Sequence, residues 1–171
     1  MFVNVIRRTQ PAAELVTLAE VKEQLRIDNS FTLDDSLLTG YIKTAREKCE
    51  NYCNRYFAQA DFTVLYDSFE SPLVVPFPDS TVTAVTYVDM DGNNQTLSTY
   101  SYDADFQQIT ADNFDAKTVK VNITSGATNN SVKQAILLYV ADFYEVRTAE
   151  KAKPNLAAEA ILYPYRVEIG A

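Results

Sequence analysis

Thr17-Leu-Ala-Glu-Val-Lys-Glu-Gln-Leu-Arg-Ile-Asp28 is the stretch from which the rest of the chain is read. Thr17 followed three residues later by Glu20 is a capping box. The hydroxyl accepts from the third helical N–H and the carboxylate reaches back to the cap's own N–H. Leu18, Val21 and Leu25 then recur at helical spacing, and Asp28-Asn-Ser ends the helix. A second helix opens near Thr32–Asp34, with Asp34 and Asp35 in its first turn, where the helix dipole favours anions. Its apolar stripe is Leu38, Tyr41, Ile42, Ala45, Cys49, Tyr52, Cys53 and Tyr56. That period predicts a helix of roughly 24 residues. Lys43, Arg46, Glu47, Lys48 and Glu50 fall between and read as a solvated or partner-facing side.

Outward from this pair of helices the texture changes. Residues 1–16 read as extended or irregular, broken at Pro11. From Asp61, Phe62, Val64 and Tyr66 alternate with polar residues, as a strand does. Leu73-Val-Val75 runs into Pro76 and Pro78, so that strand ends or sits at an edge. Thr81 to Met90 is rich in β-branched residues. Asp91-Gly-Asn-Asn94 is a turn signal from which Gln95–Leu97 can pair back. Further short strands are expected at 98–103, 107–110 and 118–123. Ser131 with Gln134 then reads as a second capping box. Val132, Ala135, Ile136, Tyr139, Val140 and Phe143 follow it at helical spacing. Pro154 suits the first turn of a last short helix, with Leu156, Ala160 and Ile161 inward. Pro164 stops it, and Tyr165 to Ala171 reads as an extended tail.

The order α-α, β, α-α predicts an α+β fold. A mostly helical body of about four helices would be assembled from both ends of the chain, with a small antiparallel β subdomain inserted. The division expected is 1–59, 60–130 and 131–171.

Composition narrows the function. The 171 residues include no histidine. That removes the commonest general base and metal ligand, and every Ser-His or Cys-His triad. The net charge of −8 lies wholly in the middle of the chain, where 59–130 hold ten acidic side chains against Lys117 and Lys120. Gripping phosphates needs clustered Lys and Arg, and this segment offers the opposite. It serves solubility, or a surface that repels DNA passing nearby. The longest apolar run, Ala135–Ala141, is too short for a membrane span. The start lacks the apolar stretch of a signal peptide, so folding in a cytoplasm is expected.

Individual constellations favour structure over chemistry. Cys49 and Cys53 share a helix face with no further soft ligand available, and read as buried thiols. Asp89, Asp91, Asp103 and Asp105 suggest calcium only weakly, because the spacing and closing Glu of an EF-hand loop are missing; turn chemistry accounts for them. Four glycines cannot build a phosphate-binding loop. No cofactor or metal is expected. Tyr163-Pro-Tyr-Arg166 stands apart, with two aromatics and an arginine beyond the last helix, residue types favoured as interface anchors.

Taken in order, these segments resemble the gp6-like head–tail connector (adaptor) proteins of tailed bacteriophages, in the longer variety with a β-rich insertion. The resemblance is carried by Leu18, Ala19, Glu20, Lys22, Leu25 and Arg26, then Asp34, Asp35, Leu37 and Leu38. Ala45, Arg46, Glu47 and Arg55 follow. At the other end it is carried by Ala135–Leu138, Tyr144, Glu145, Arg147, Leu162, Tyr165 and Arg166. Tyr87-Val-Asp-Met-Asp-Gly92 is similar to the hairpin of the insertion-bearing members.

The resemblance implies a structural virion protein rather than an enzyme. It implies a homo-oligomeric ring, dodecameric in the virion, beneath the portal in the viral neck. That ring extends the DNA channel and docks a tail-completion or stopper protein. DNA passes without specific binding, no membrane is involved, and assembly takes place in the bacterial host cytoplasm. Arg46, Arg55, Arg147, Tyr163, Tyr165 and Arg166 are the interaction candidates. Asp103, Asp105, Asp112 and Asp115 are the channel-facing acidic candidates. The alternatives are another phage neck or tail-completion protein, and a small β-rich carbohydrate-binding module.

Overall fold

A computed structural model describes residues 2–7, 9–127, 129–146 and 154–167. The chain divides into two compact units. One comprises residues 1–12 with 59–127, and the other residues 13–58 with 128–171. The first twelve residues therefore group with the strands, whereas the sequence had put them with the helices. The reason is a strand that the irregular-looking N-terminus concealed. β1 (Phe2–Arg7) pairs antiparallel with β2 (Ala60–Tyr66), Val5 opposite Val64.

The strand unit has two antiparallel sheets. The larger runs in the order β1-β2-β8-β4-β5, with β4 Ser80–Val88, β5 Asn94–Thr96 and β8 Thr118–Ser125. The smaller runs β3-β7-β6, from Leu73–Val74, Gln108–Thr110 and Ser101–Asp103. Period-two alternation sends Phe62, Val64 and Tyr66 of β2, and Val119, Val121 and Ile123 of β8, into one core. Tyr66 donates its hydroxyl to the Val74 carbonyl at 2.7 Å, tying the two sheets together. Phe69 stacks on Phe114 with centroids 4.7 Å apart, and Tyr87 packs on the same ring at 4.4 Å. The β4–β5 turn closes on Asp89, whose Oδ1 accepts from Asp91 N and Asn93 N while Gly92 takes φ 94°.

The helical unit holds α1 (Leu18–Leu25), α2 (Asp35–Cys53), α3 (Asn130–Glu145) and α4 (Leu156–Leu162), followed by a single 3-10 turn at Tyr163–Tyr165. Its core joins Val21, Leu38, Ile42, Ala45, Cys49 and Cys53 to Val132, Ala135, Ile136, Tyr139, Ala158 and Leu162.

The capping box at Thr17 forms as read, with Glu20 N donating to the hydroxyl at 3.2 Å and Thr17 N donating to the carboxylate at 2.6 Å. Other ends moved. α2 has 19 residues, stopped by Asn54 in the left-handed region at φ 52°. α3 is capped by Asn129, not by a Ser131–Gln134 box. The Asn129 side chain accepts from Val132 N at 3.0 Å. α4 starts after Asn155, which caps Ala158 N at 2.9 Å. That start turns Ala158 and Leu162 inward. Leu156, expected inside, is 73% exposed, and Ala160 is exposed too.

Candidate functional site

The outer side of α2 does not consist of the five charges the sequence assigned to it. Arg46 is 1% exposed. Its guanidinium bonds Glu14 at 2.8 Å, Glu50 at 2.6 Å and Glu47 at 3.4 Å. Glu50, also buried, uses its other oxygen to accept from Phe57 N at 3.0 Å and Ala58 N at 3.1 Å. Burial opposes the Arg46 charge, but Glu14 and Glu50 outweigh it and hold the guanidinium above its ordinary pKa. As an interaction candidate Arg46 is therefore corrected. It clamps the segment before α1 and the turn after α2 onto the helix, and offers nothing to a partner in this conformation. The sequence misled because spacing gives the direction of a side chain, not whether another segment covers it.

Lys22 is a second buried cation. It pairs with Asp35 at 2.6 Å and donates to the carbonyls of Phe31 at 2.8 Å and Asn29 at 3.3 Å. One ammonium thereby fixes the whole α1–α2 loop. Its position between Val21 and Leu25 on the apolar stripe of α1 was the available signal for this burial. Tyr144 adds a further tie, donating to Asp34 at 2.7 Å.

Arg55 is half-buried, with its guanidinium 5.4 Å from the centre of the Phe57 ring, and burial lowers its pKa. Arg147 lies outside the described residues. Around the last helix, Tyr163 is 67% exposed, and Arg166 is exposed with its guanidinium 5.7 Å from the Tyr52 ring centre. Tyr165 is half-buried against the helical core. Val167 N donates to the Cys53 carbonyl at 2.8 Å, and Asn54 donates to the Val167 carbonyl at 3.0 Å. Residues 163–167 are thus folded back on α2, although an extended tail was expected from Tyr165 onward. Residues 168–171 lie outside the described part.

The cysteines are free and buried. Burial pushes the Cys49 thiol up to about 12 and the Cys53 thiol up to about 11, so both stay protonated and inert near neutrality. Cys53 Sγ donates weakly to the Leu162 carbonyl at 3.6 Å.

In the strand unit, Asp103 accepts from Asp105 N and Phe106 N and shapes the β6–β7 turn. Asp105 is exposed on that turn, and Asp112 and Asp115 are exposed on the irregular segment before β8. Among the described residues no group of three or more His, Cys, Asp or Glu could hold a metal ion. No described helix is long and apolar enough to cross a membrane. Among the described aromatics of this unit only Phe106 is strongly exposed. What the geometry offers is surface: an apolar loop at the start of α2, an apolar face on α4, and an acidic strand unit.

The family model of the phage gp6-like head-tail connector protein matches residues 15–166. The chain belongs to this family. It is a structural protein of phage-like virions by that membership, with the α+β architecture the sequence predicted.

Solved structures agree on the fold of this connector. It is similar to a chain in the neck of an empty GTA particle computed with C6 symmetry, at TM-score 0.78 and 20% identity, covering 96% of this chain and 95% of that one. A chain of the virion of a native gene transfer agent particle matches at TM-score 0.77 and 19% identity. A chain of the native GTA neck computed with C12 symmetry matches at 0.76 and 19%. Both matches again span 96% of this chain and 95% of the other. No curated protein matches the sequence.

Proposed function

We propose that this connector forms a ring in the neck of a virion, beneath the portal, where it extends the DNA channel and presents a surface to a tail-completion or stopper protein. The observation that carries the reading is coverage. The family match takes in both helical halves and the strands between them, and the likeness to neck chains extends over nearly the whole molecule. The C6 and C12 symmetry of the particles holding those chains supports repeated copies around an axis. A closed ring needs two different, complementary faces on each subunit.

The C-terminal segment is the candidate for portal docking. The acidic residues Asp103, Asp105, Asp112 and Asp115 are the candidate channel lining, where carboxylates repel passing phosphates rather than bind them. The protein is assembled in the cytoplasm of the host and works in the particle, without a catalytic step.

Native mass spectrometry over a concentration series, alone and with the cognate portal, tests the reading. Closed rings, free or only on the portal, are expected. A chain that stays monomeric and ignores the portal overturns it. Deleting 168–171 leaves the Val167–Cys53 bond in place, so this variant should remain folded yet lose the portal. Unchanged incorporation would remove the tail from the proposal.

A further inference from the structure

The large sheet of the strand unit has two unlike faces. Phe62, Val64 and Tyr66 of β2 point inward, and Thr63 and Leu65 between them point the other way. The small sheet packs on the inward side. Tyr66 donates to the Val74 carbonyl of β3, and the Tyr102 hydroxyl of β6 lies 3.0 Å from Oγ of the buried Ser80 in β4. On the outward side Ile6, Thr63, Leu65, Thr86, Lys120 and Asn122 line a shallow hollow of about 370 Å³. Register puts Leu65, Lys120 and Thr86 in one row across β2, β8 and β4, and Ile6, Thr63 and Asn122 in the next. Thr63 donates to Asn122 Oδ1 at 2.8 Å, so these two polar groups are used within the sheet. Ile6, 47% exposed, and Leu65 leave an aliphatic floor. Lys120 is exposed at its rim and forms no ion pair among the described residues. Asp61, on the same face, stands two side-chain steps along β2 from Leu65 and accepts from Thr124 at 2.7 Å.

The small sheet carries the opposite chemistry. Phe106, on the β6–β7 turn, is 70% exposed, the most of any large apolar side chain described in this unit. The turn is held firmly. Asp103 Oδ1 accepts from Asp105 N at 2.9 Å and Phe106 N at 3.0 Å, and Val75 N donates to the Gln107 carbonyl at 2.8 Å. A knob that is already rigid loses little conformational entropy on docking. Beside the ring, the exposed Asp105 carboxylate accepts no bond among the described residues.

We propose that the Phe106 turn of one copy of this chain seats in the outward hollow of the next, with the ring between Ile6 and Leu65 and Asp105 against Lys120. The match is one of charge and size. An aromatic ring with a free carboxylate meets an aliphatic floor with a free ammonium. A cavity of roughly 150 Å³ already takes a benzene ring. Knob and hollow lie on opposite sides of the large sheet, so one chain cannot join its own pair. Successive copies would stack head to tail, the heterologous geometry a closed ring needs. The choice of a second copy as occupant rests on the ring reading above. It makes Asp105 a seam residue and keeps Asp112 and Asp115 as the channel candidates.

The test uses two single variants of the full chain, Ala104→Cys on the turn and Thr86→Cys in the hollow. They are mixed and treated with a short bis-maleimide, free and on the cognate portal. Cys49 and Cys53 are buried and do not compete. Linked dimers should appear in the mixture and not in either variant alone, and the double variant should give a ladder. Adding Phe106→Ala or Lys120→Glu should cut the linked yield by about 10-fold. Lys120→Glu combined with Asp105→Lys should recover it, which a damaged fold would not. Met90→Ala, on the β4–β5 turn, should leave it unchanged. No links in the mixture, free or on the portal, overturns the contact. Equal linking in a single variant means that like faces pair, and overturns it too. The two readings fail separately. Links without portal binding keep the contact and sink the connector role. Normal portal-bound rings without links do the reverse.

Discussion

The helical and strand units treat charge in opposite ways. The helical unit buries Lys22, Arg46 and Glu50 and leaves leucines outside at two places. The strand unit keeps its carboxylates at the surface, buries among its described residues only Ser80 and Ser125 as polar side chains, and builds its core from alternating apolar residues. A buried, fully bonded charge fixes loops and entry angles rather than adding much net stability. The helical unit has the α1–α2 loop, the segment before α1 and the turn after α2 to fix. The strand unit gets the same definition from its ladders, where register is set by the alternation itself.

The sharpest way to break this contrast is Arg46→Ala. It leaves Glu50 buried without its cation, and should cost about 3–5 kcal/mol in denaturant unfolding. The double change Arg46→Met, Glu50→Gln should recover a large part of that. A cost below 1 kcal/mol for Arg46→Ala would mean that the network is not formed in solution. Next comes a pair within one helix start. Leu38→Ala should cost about 2–5 kcal/mol through a core cavity, and Leu33→Ala no more than about 0.5 kcal/mol. Equal effects would show that Leu33 is covered within the monomer.

The cysteine pair comes third. Cys49→Ala with Cys53→Ala should lower the melting temperature without abolishing assembly. It should also flatten the alkaline limb of stability. Both thiols have raised pKa values in the fold, so their contribution is full below about pH 8.5, the unfolded value. It is lost as pH rises towards about 11 for Cys53 and about 12 for Cys49. An alkaline limb of equal slope in wild type and variant would refute this. The smallest effects belong to the surface. Gly40→Ala should stabilise the monomer by about 0.5–1 kcal/mol. Changing Asp103, Asp105, Asp112 and Asp115 to Asn should alter stability by no more than about 0.5 kcal/mol each. It should slow DNA ejection if these residues line the channel, and unchanged ejection would leave them a solubility role.

The helices, their order and most of the strands were legible because period and capping are local. Thr17 with Glu20, the stripe of α2 and the alternation of β2 each need only a few neighbouring residues. The misreadings share one cause. β1 is a strand because β2 lies beside it, and its own residues give little alternation to read. Arg46 and Lys22 are buried because segments distant in sequence cover them. The inward face of α4 rotated because its cap is two residues later than Pro154 at the first helical position implied, and a two-residue shift, about 200° around the axis, exchanges the inside for the outside.

The amino-acid sequence by itself determined the fold class, the flanking of strands by helices, the confinement of the net negative charge to the middle segment, and the likeness to connectors. Those follow from composition and short-range periodicity. Only the tertiary structure decided which charges are internal braces and which leucines are left exposed. Burial is a property of what packs against a residue, and here the covering groups come from the far side of a loop or the other end of the chain.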